Sequence, residues 1–511
     1  LARPGAAWHA LARRGSTTWR RRGVGGTTVE HGTTRAVAMP DRLAARTPWL
    51  VLAYFAVNAG LRMLTPGGLG LDEAEAMLHA QRFELGYGPQ PPLYGWLQRL
   101  VFAVTGPGKL GLALLKNAIL ASAFLALWAT ARVAGADARL ACAGVLAMAL
   151  IPGITWEAQR ALAHTPLALA TASLALLAFA IVRRRGGLTA HLLLGVALAA
   201  AALAYWTTVF IGVGIVAALV LRRRAPWGHV AATLAAATLL VAPTAVWYAL
   251  HPDALAAAST RVTMGGAAPV DVAIAFIEGA AATLGVPLVV LAVLLARRPA
   301  TAGAAGLTPS SRTDLVLVAL VGVVAFALIA LTTQMPEVKE RYFTPFFFFV
   351  PLVVAACFAE RLTRRRLSIL ATLVGVVVLA VSAGLQWNWR IGDGEPPPMT
   401  APFDALAADL ARDSGVLLVE GEWLAGNLLL AAPDRAIVTP ENGDLRIDVA
   451  PPVRLVWMGP RPDQPPAALL SLFEERVGRP PDLGTPEAVA RPWRTPRYDA
   501  GTLVLHTTLA R

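Results

Sequence analysis

The chain has 511 residues, of which 56% are hydrophobic and 15% charged, and its mean hydropathy is +0.57. So little charge cannot cover a soluble protein of this length, and apolar runs long enough to cross a bilayer, about 20 residues of helix, recur from Pro48 to Leu385. The net charge of +13 would point to nucleic acid in a soluble chain. Here the arginines lie in short runs between apolar segments, where they set membrane topology, and nucleic acid is set aside as a partner.

Residues 1–46 carry Arg13, Arg14, Arg20–Arg22, Arg35, Arg42 and Arg46 among many Gly and Thr. They read as a basic tail without order, or as a segment ahead of a start near Met39. A charged region this long without an apolar core does not fit a signal peptide. Apolar runs then place spans near 48–64, 111–131, 139–155, 161–182, 189–204, 206–221, 228–250, 272–296, 314–333, 343–359 and 367–385, about eleven in all. Cys142 and Cys357 sit inside such runs, so neither a disulfide framework nor a cysteine metal cluster is expected.

Charge between the spans sorts by side. With the N-terminus inside, the inner connections hold Arg132 and Arg139; Arg183–Arg185; Arg222–Arg224; Arg297, Arg298 and Arg312; and Arg361 with Arg364–Arg366. The outer connections hold Asp72, Glu73, Glu75 and Glu84; Glu157; Asp253; Glu337 and Glu340. This is the asymmetry that fixes a cytoplasmic N-terminus in a multi-pass protein. Ala- and Arg-rich usage suggests a GC-rich bacterial genome, hence the cytoplasmic (inner) membrane.

After Leu385 the pattern changes. "VLLVE" (416–420), "RAIVTP" (435–440), "VRLVWMG" (453–459) and "GTLVLHTTLA" near the end read as strands; "GEWLAGNLLLAA" and "AALLSLFEERVG" read as helices. The fold class is therefore mostly α and polytopic, with a small α/β extracytoplasmic unit at 386–511, Pro396–Pro398 marking its linker and 47–385 forming the membrane domain.

The outer loop from about 65 to 110 is longer than a connection needs. "TPGGLGLDEAE" opens it, with acids beginning a helix. Acids in a first turn suit the positive end of a helix, but that does not explain why Asp72, Glu75 and His79 share one face. A carboxylate there can act as general base, paired carboxylates can hold a divalent cation beside a phosphate, and Glu75 with His79, four apart, can ligate a transition metal. "GYGPQPPLYGWLQ" supplies a rigid turn and a new helix start, and Tyr87, Tyr94 and Trp96 are expected at the membrane interface. "PGITWEAQRALAHTP" brings Glu157, Gln159, Arg160 and His164 to the outer ends of two helices, and "QMPEVKERYFTPFFFF" brings Glu337, Lys339, Glu340, Arg341 and Tyr342 to another. Polar groups at a membrane edge are costly enough to suggest function; Lys339 and Arg341 suit a lipid phosphate, or else local pairing with Glu337 and Glu340. "TGPGKLG" lacks the spacing of a phosphate loop, and no HExxH or G-x-S-x-G occurs.

With these residues in place, the chain resembles the GT-C fold membrane glycosyltransferases of family 39, the group of the protein mannosyltransferases and lipid A aminoarabinose transferases. "DEAEAMLHAQRFELGYGPQPPLYGWLQ", "WEAQRALAHTP", "ERYFTPFFFFVPL" and "WLAGNLLLAAPD" are similar to a bacterial branch of that family. The resemblance implies an inverting transfer of a sugar from a polyprenyl-phosphate carrier to a lipid, glycan or protein acceptor at the outer face. It also implies Asp72 as general base, Glu73 as its supporting acid, and Lys339 and Arg341 on the departing phosphate. Glu75, His79, Tyr87, Gln90, Glu157, Arg160, His164 and Tyr342 complete the expected substrate-facing set. Two positions depart from the pattern: His164 stands where many relatives carry Asp, and Gln90 where an Asp-His often precedes the prolines. A transporter or flippase of a lipid-linked glycan would also need many spans, but transporters tend to show internal repeats and ionisable groups near the midplane of broken helices, whereas no clear repeat is seen here and the acids lie at a surface loop. A non-catalytic assembly factor is the third reading.

Overall fold

The structure is a computed structural model and describes residues 39–222, 226–260, 266–297, 303–335, 337–392, 395–410, 415–442, 445–459, 461–495 and 501–511. Up to residue 38 the expected basic tail lies outside these, as do Arg223, Arg224 and Arg298. Residues 39–46 correct that expectation, because they are the first turns of the helix Met39–Met63. There Asp41 sits in the first turn, where a carboxylate suits the helix dipole, and pairs with Arg364 at 2.6 Å.

Among the described residues, six helices are long and apolar enough to cross a membrane: Lys109–Val133, His164–Arg185, Trp227–Leu250, Pro269–Leu295, Pro309–Thr332 and Arg364–Arg390. A seventh is Ala138–Met148 with Gly153–Arg160, if that pair, bent by 74°, is one span. The bend follows from Pro152 and from a π-helical turn at Gly153–Glu157, which interrupts the regular hydrogen-bond ladder. The expectation of about eleven spans also counted Leu188–Ala204, Thr208–Leu221 and Thr344–Cys357, which are shorter apolar helices. Lys109–Val133 and His164–Arg185 are 72% and 78% buried over their apolar windows, against 17–28% for the other four. These two are the centre of the bundle, and the others turn a face outward.

The helix ends at the arginine-rich side are locked by short side chains and charge. Asp137 accepts from Leu140 N–H at 2.9 Å and Thr308 from Ser311 N–H at 3.1 Å, each filling an orphan donor of a first turn. Asp314, buried, joins Arg183 at 2.7 Å and Arg222 at 3.2 Å.

The C-terminal part forms a five-stranded sheet of order β2-β1-β3-β5-β4, with β1 Leu417–Val419, β2 Ile437–Val438, β3 Val453–Trp457, β4 Glu487–Pro492 and β5 Thr502–Ala510. β1 runs parallel to β2 and β3, with Leu418 opposite both Val438 and Leu455, and all of β1 is buried, as a strand covered on both faces must be. β5 is antiparallel to β3 and β4. β4 was not expected from the sequence: "EAVARP" is exposed and carries no alternating apolar pattern.

What matters for the site is how this sheet region grips the loop 65–110. The loop folds into two helices, Leu71–His79 and Leu93–Thr105. The helix Glu422–Ala431, between β1 and β2, lies against the first of them. Gly426 makes the approach, since a Cβ there would come within 2.2 Å of the Ala74 carbonyl oxygen. Leu69 N–H donates to Asn427 Oδ1 at 2.8 Å and Trp423 Nε1 to the Leu69 carbonyl at 2.8 Å. Gln81 exchanges two hydrogen bonds with the backbone of Ile437, at 2.9 and 3.2 Å.

Candidate active site

A cavity of 650 Å³ is lined by Asp72 and Glu75 together with Glu337, Lys339, Arg341 and Tyr342. Pro89, Gln90, His164 and Glu422 close its polar end, while Phe210, Phe326 and Ile329 make the rest apolar. Such a mixture suits a ligand with a charged head and a hydrocarbon part.

The adjacent acids face different surroundings. Glu73 is buried: its Oε2 takes Arg62 Nη2 at 2.7 Å, its Oε1 lies 3.5 Å from Lys116 Nζ, and Gly70 N–H donates to it at 3.4 Å. Arg62 also bonds Thr65 and the Gly68 carbonyl. Burial alone would raise the Glu73 carboxyl, but the charges of Arg62 and Lys116 and these hydrogen bonds bring it down to about 2. Asp72 instead keeps part of its surface at the cavity and accepts from Ala163 N–H at 3.0 Å. Desolvation pushes its carboxyl above the usual range, against the Ala163 hydrogen bond and the charges of Lys116 and Arg341. Neighbouring carboxyls whose affinities for the proton are driven apart are the arrangement that separates a fixed charge from a proton acceptor.

Arg341 lines the same cavity as Asp72 and sits half-buried, its guanidinium 5.7 Å from the centroid of the Tyr342 ring. Burial opposes its charge, but Tyr205, Tyr342 and Asp72 together hold it more firmly protonated. Lys339 is nearer the rim, paired with Glu337 at 3.1 Å, Glu337 being 72% exposed.

Sequence comparison gives this geometry its context. The family described as dolichyl-phosphate-mannose-protein mannosyltransferase matches residues 89–247. The lipopolysaccharide core galacturonosyltransferase RgtA of Rhizobium johnstonii is 30% identical over 434 residues, covering 80% of this chain and 86% of the relative. The chain belongs to the GT-C membrane glycosyltransferases. The companion galacturonosyltransferase RgtB of the same organism is 28% identical over 81% of this chain and 87% of its own length. In fold, this glycosyltransferase is similar to ArnT of Cupriavidus metallidurans bound to undecaprenyl phosphate, with a TM-score of 0.58 at 13% identity, covering 93% of this chain and 98% of that one. It is thus a multi-pass membrane transferase.

Not every expected residue faces the transferase cavity. Glu157 and Arg160 pair locally at 2.8 Å and are not among the residues that line it. Tyr87 and Tyr94 correct the expectation of interfacial anchors, since each is only 1% exposed. Tyr87 stacks on His79 with centroids 4.6 Å apart and donates to the Arg82 carbonyl at 2.7 Å. The Tyr94 ring lies 5.3 Å from His164, and burial beside Glu73 and Asp72 pushes its hydroxyl far up. Gln90 lines the cavity, and its backbone carbonyl accepts from the Tyr248 hydroxyl at 2.8 Å. Glu75, His79 and His164 come together, one ligand-type atom from each lying within 4.8 Å of the others.

Sequence reasoning missed Arg62 and Lys116, which lie inside the expected spans 48–64 and 111–131. A lysine seven residues into an apolar helix is itself a signal, because an intramembrane charge needs a partner. Tyr205 and Glu422, also at the cavity, gave no signal beyond their polarity.

Proposed function

We propose that this transferase moves a sugar, with inversion, from a polyprenyl-phosphate carrier to an envelope acceptor on the outer face of the membrane. The acceptor hydroxyl or amine attacks the anomeric carbon and gives its proton to Asp72. The bond from that carbon to phosphate oxygen breaks, and the carrier leaves as lipid phosphate against Arg341. The observation that carries this reading is a carboxyl held above its usual range and a half-buried guanidinium lining the same cavity. A base with an elevated proton affinity removes a proton more readily near neutral pH, and a planar guanidinium suits a phosphate. Glu73, ion-paired away from the cavity, serves as a fixed charge that orients the helix bearing Asp72.

Several features support the wider reading. The solved relative ArnT has undecaprenyl phosphate bound, and the relatives RgtA and RgtB are named for galacturonosyl transfer to a lipopolysaccharide core, so a galacturonosyl donor is the first to try. An aliphatic groove of 570 Å³ follows Thr208–Leu221, through Val209, Gly212 and Val216, from the same segment whose Thr207 and Phe210 reach the cavity. It suits the carrier's hydrocarbon chain. The shorter apolar helices and Met39–Met63 complete about eleven crossings. The clustering of Arg183 and Arg222 about Asp314 supports a cytoplasmic N-terminus and an extracytoplasmic sheet domain that begins beyond the helix Arg364–Arg390 rather than at 386.

The test supplies membranes containing the chain with radiolabelled polyprenyl-phosphate sugars, galacturonate included, and envelope lipid, glycan and protein acceptors. Transfer with release of free lipid phosphate, and a product anomer opposite to the donor, is expected. Retention of the anomer, or movement of intact lipid-linked sugar across vesicles without transfer, would sink the reading.

A further inference from the structure

We propose that Glu75, His79 and His164 form a binding site for a divalent transition metal of the zinc class, next to the cavity but separate from the proton acceptor. Glu75 and His79 are one helical turn apart and therefore project from the same side of Leu71–His79. His164 comes from the first residue of His164–Arg185. All three are buried, at 5%, 1% and 4% exposure. Two imidazoles and a carboxylate are a donor set that favours zinc over magnesium, which prefers oxygen ligands.

The distances fit a site that closes on its ion. The ligand-type atoms lie within 4.8 Å of one another, with His164 Nε2 and Glu75 Oε2 at 3.9 Å. Tetrahedral zinc with bonds near 2.0–2.1 Å brings its ligand atoms to about 3.4 Å, a contraction of about 0.5–1.5 Å. An outer layer already orients the rings. His79 Nε2 lies 3.0 Å from Asn442 Oδ1, and Asn442 turns its amide NH₂ to Glu422 at 3.1 Å. That amide orientation makes His79 Nε2 the N–H donor and puts the ring's lone pair on Nδ1, the support that metal-bound histidines receive. Stacking on Tyr87 fixes the His79 plane, and Tyr94 flanks His164. Glu75 and His164 both reach the cavity, so a fourth position opens there.

The position gives the ion a use. Asp72 lies on the helix that carries two of the ligands, and its hydrogen-bond donor, Ala163 N–H, is the neighbour of the third. A bound ion would hold both halves of that hydrogen bond in register. This use rests on the role proposed for Asp72; the metal site itself does not.

The test is made on the full chain purified in detergent, stripped with chelator, loaded with Zn²⁺ or Co²⁺ and desalted. About one ion per chain is expected, with Co²⁺ giving the visible absorption of a four-coordinate site. Replacing both His79→Ala and His164→Ala should leave below about a tenth of an ion per chain. Asn442→Ala, which spares the ligands, should weaken binding about 10–100-fold, and this variant with Glu75→Gln keeps the question open to refutation if the double variant fails to fold. Wild-type retention no greater than that of the ligand variants, or equal displacement by Mg²⁺, would overturn the site. Metal content and spectrum are read without any transfer assay, so failure here leaves the proposed transfer standing, and the reverse.

Discussion

Replacing Glu73 by Gln removes the carboxylate that Arg62 and Lys116 share, at 2.7 and 3.5 Å, where all three side chains are 5–6% exposed. Breaking a buried ion pair from one side leaves uncompensated charge and costs about 3–5 kcal/mol. A second route gives a similar figure: lowering a carboxyl from 4.5 to about 2 on folding corresponds to about 3 kcal/mol. The sign follows from the direction of the shift. The folded-state value is depressed, so the contribution is complete above pH 4.5 and is lost as pH falls toward about 2. Thermal melts in detergent, followed by near-UV circular dichroism at pH 7 and at steps below pH 5, measure both effects. Glu73→Gln should melt several degrees below wild type at pH 7, and its remaining pH dependence in the acid range should be shallower. Arg62→Met should cost a comparable amount, and the double variant less than the two singles combined. A Glu73→Gln protein that melts with wild type and keeps its acid dependence would refute the argument.

Other consequences can be measured separately. The kcat/KM of transfer should fall on acidification through a limb above 3.8, the ordinary value for the Asp72 carboxyl, because burial raises it and the base acts only when ionised. Arg341→Met should lower kcat/KM for the lipid-linked donor by about 10²–10³, whereas Lys339→Met, whose partner Glu337 is exposed, should stay within about threefold. Gly426→Val would press a side chain on the Ala74 carbonyl, 2.2 Å from even a Cβ; a loss of about 1–3 kcal/mol and of transfer is expected, read by melting and by the donor assay. Asp314→Asn leaves Arg183 and Arg222 without their shared charge; it should destabilise by about 3 kcal/mol while transfer per folded molecule is unchanged.

Local signals in the sequence were the most readable. "LDEAEAMLH" after a glycine run marked the helix Leu71–His79, because acids favour a first turn and the glycines end the preceding order. "VLLVE" and "VRLVWMG" marked β1 and β3 through dense branched residues. The helix Arg364–Arg390 runs past 385, where Gln386, Trp387 and Asn388 hid its continuation from a reading based on apolarity. What could not be read were contacts between distant segments. Glu73 looked like a partner for Asp72, yet Arg62 and Lys116 from two different helices claim it. The burial of Tyr87 and Tyr94 depends on their packing against His79 and His164. No period in the sequence announces that Asn442 reaches His79.

The central claim is that Asp72 takes the acceptor's proton. Its most direct test compares wild type with Asp72→Asn, at matched levels in membranes, for release of free lipid phosphate from labelled donor in the presence of acceptor. The account predicts a rate lower by about 10²–10⁴ for the variant, with donor still bound and the protein still folded by its melt. Equal release by both would contradict it.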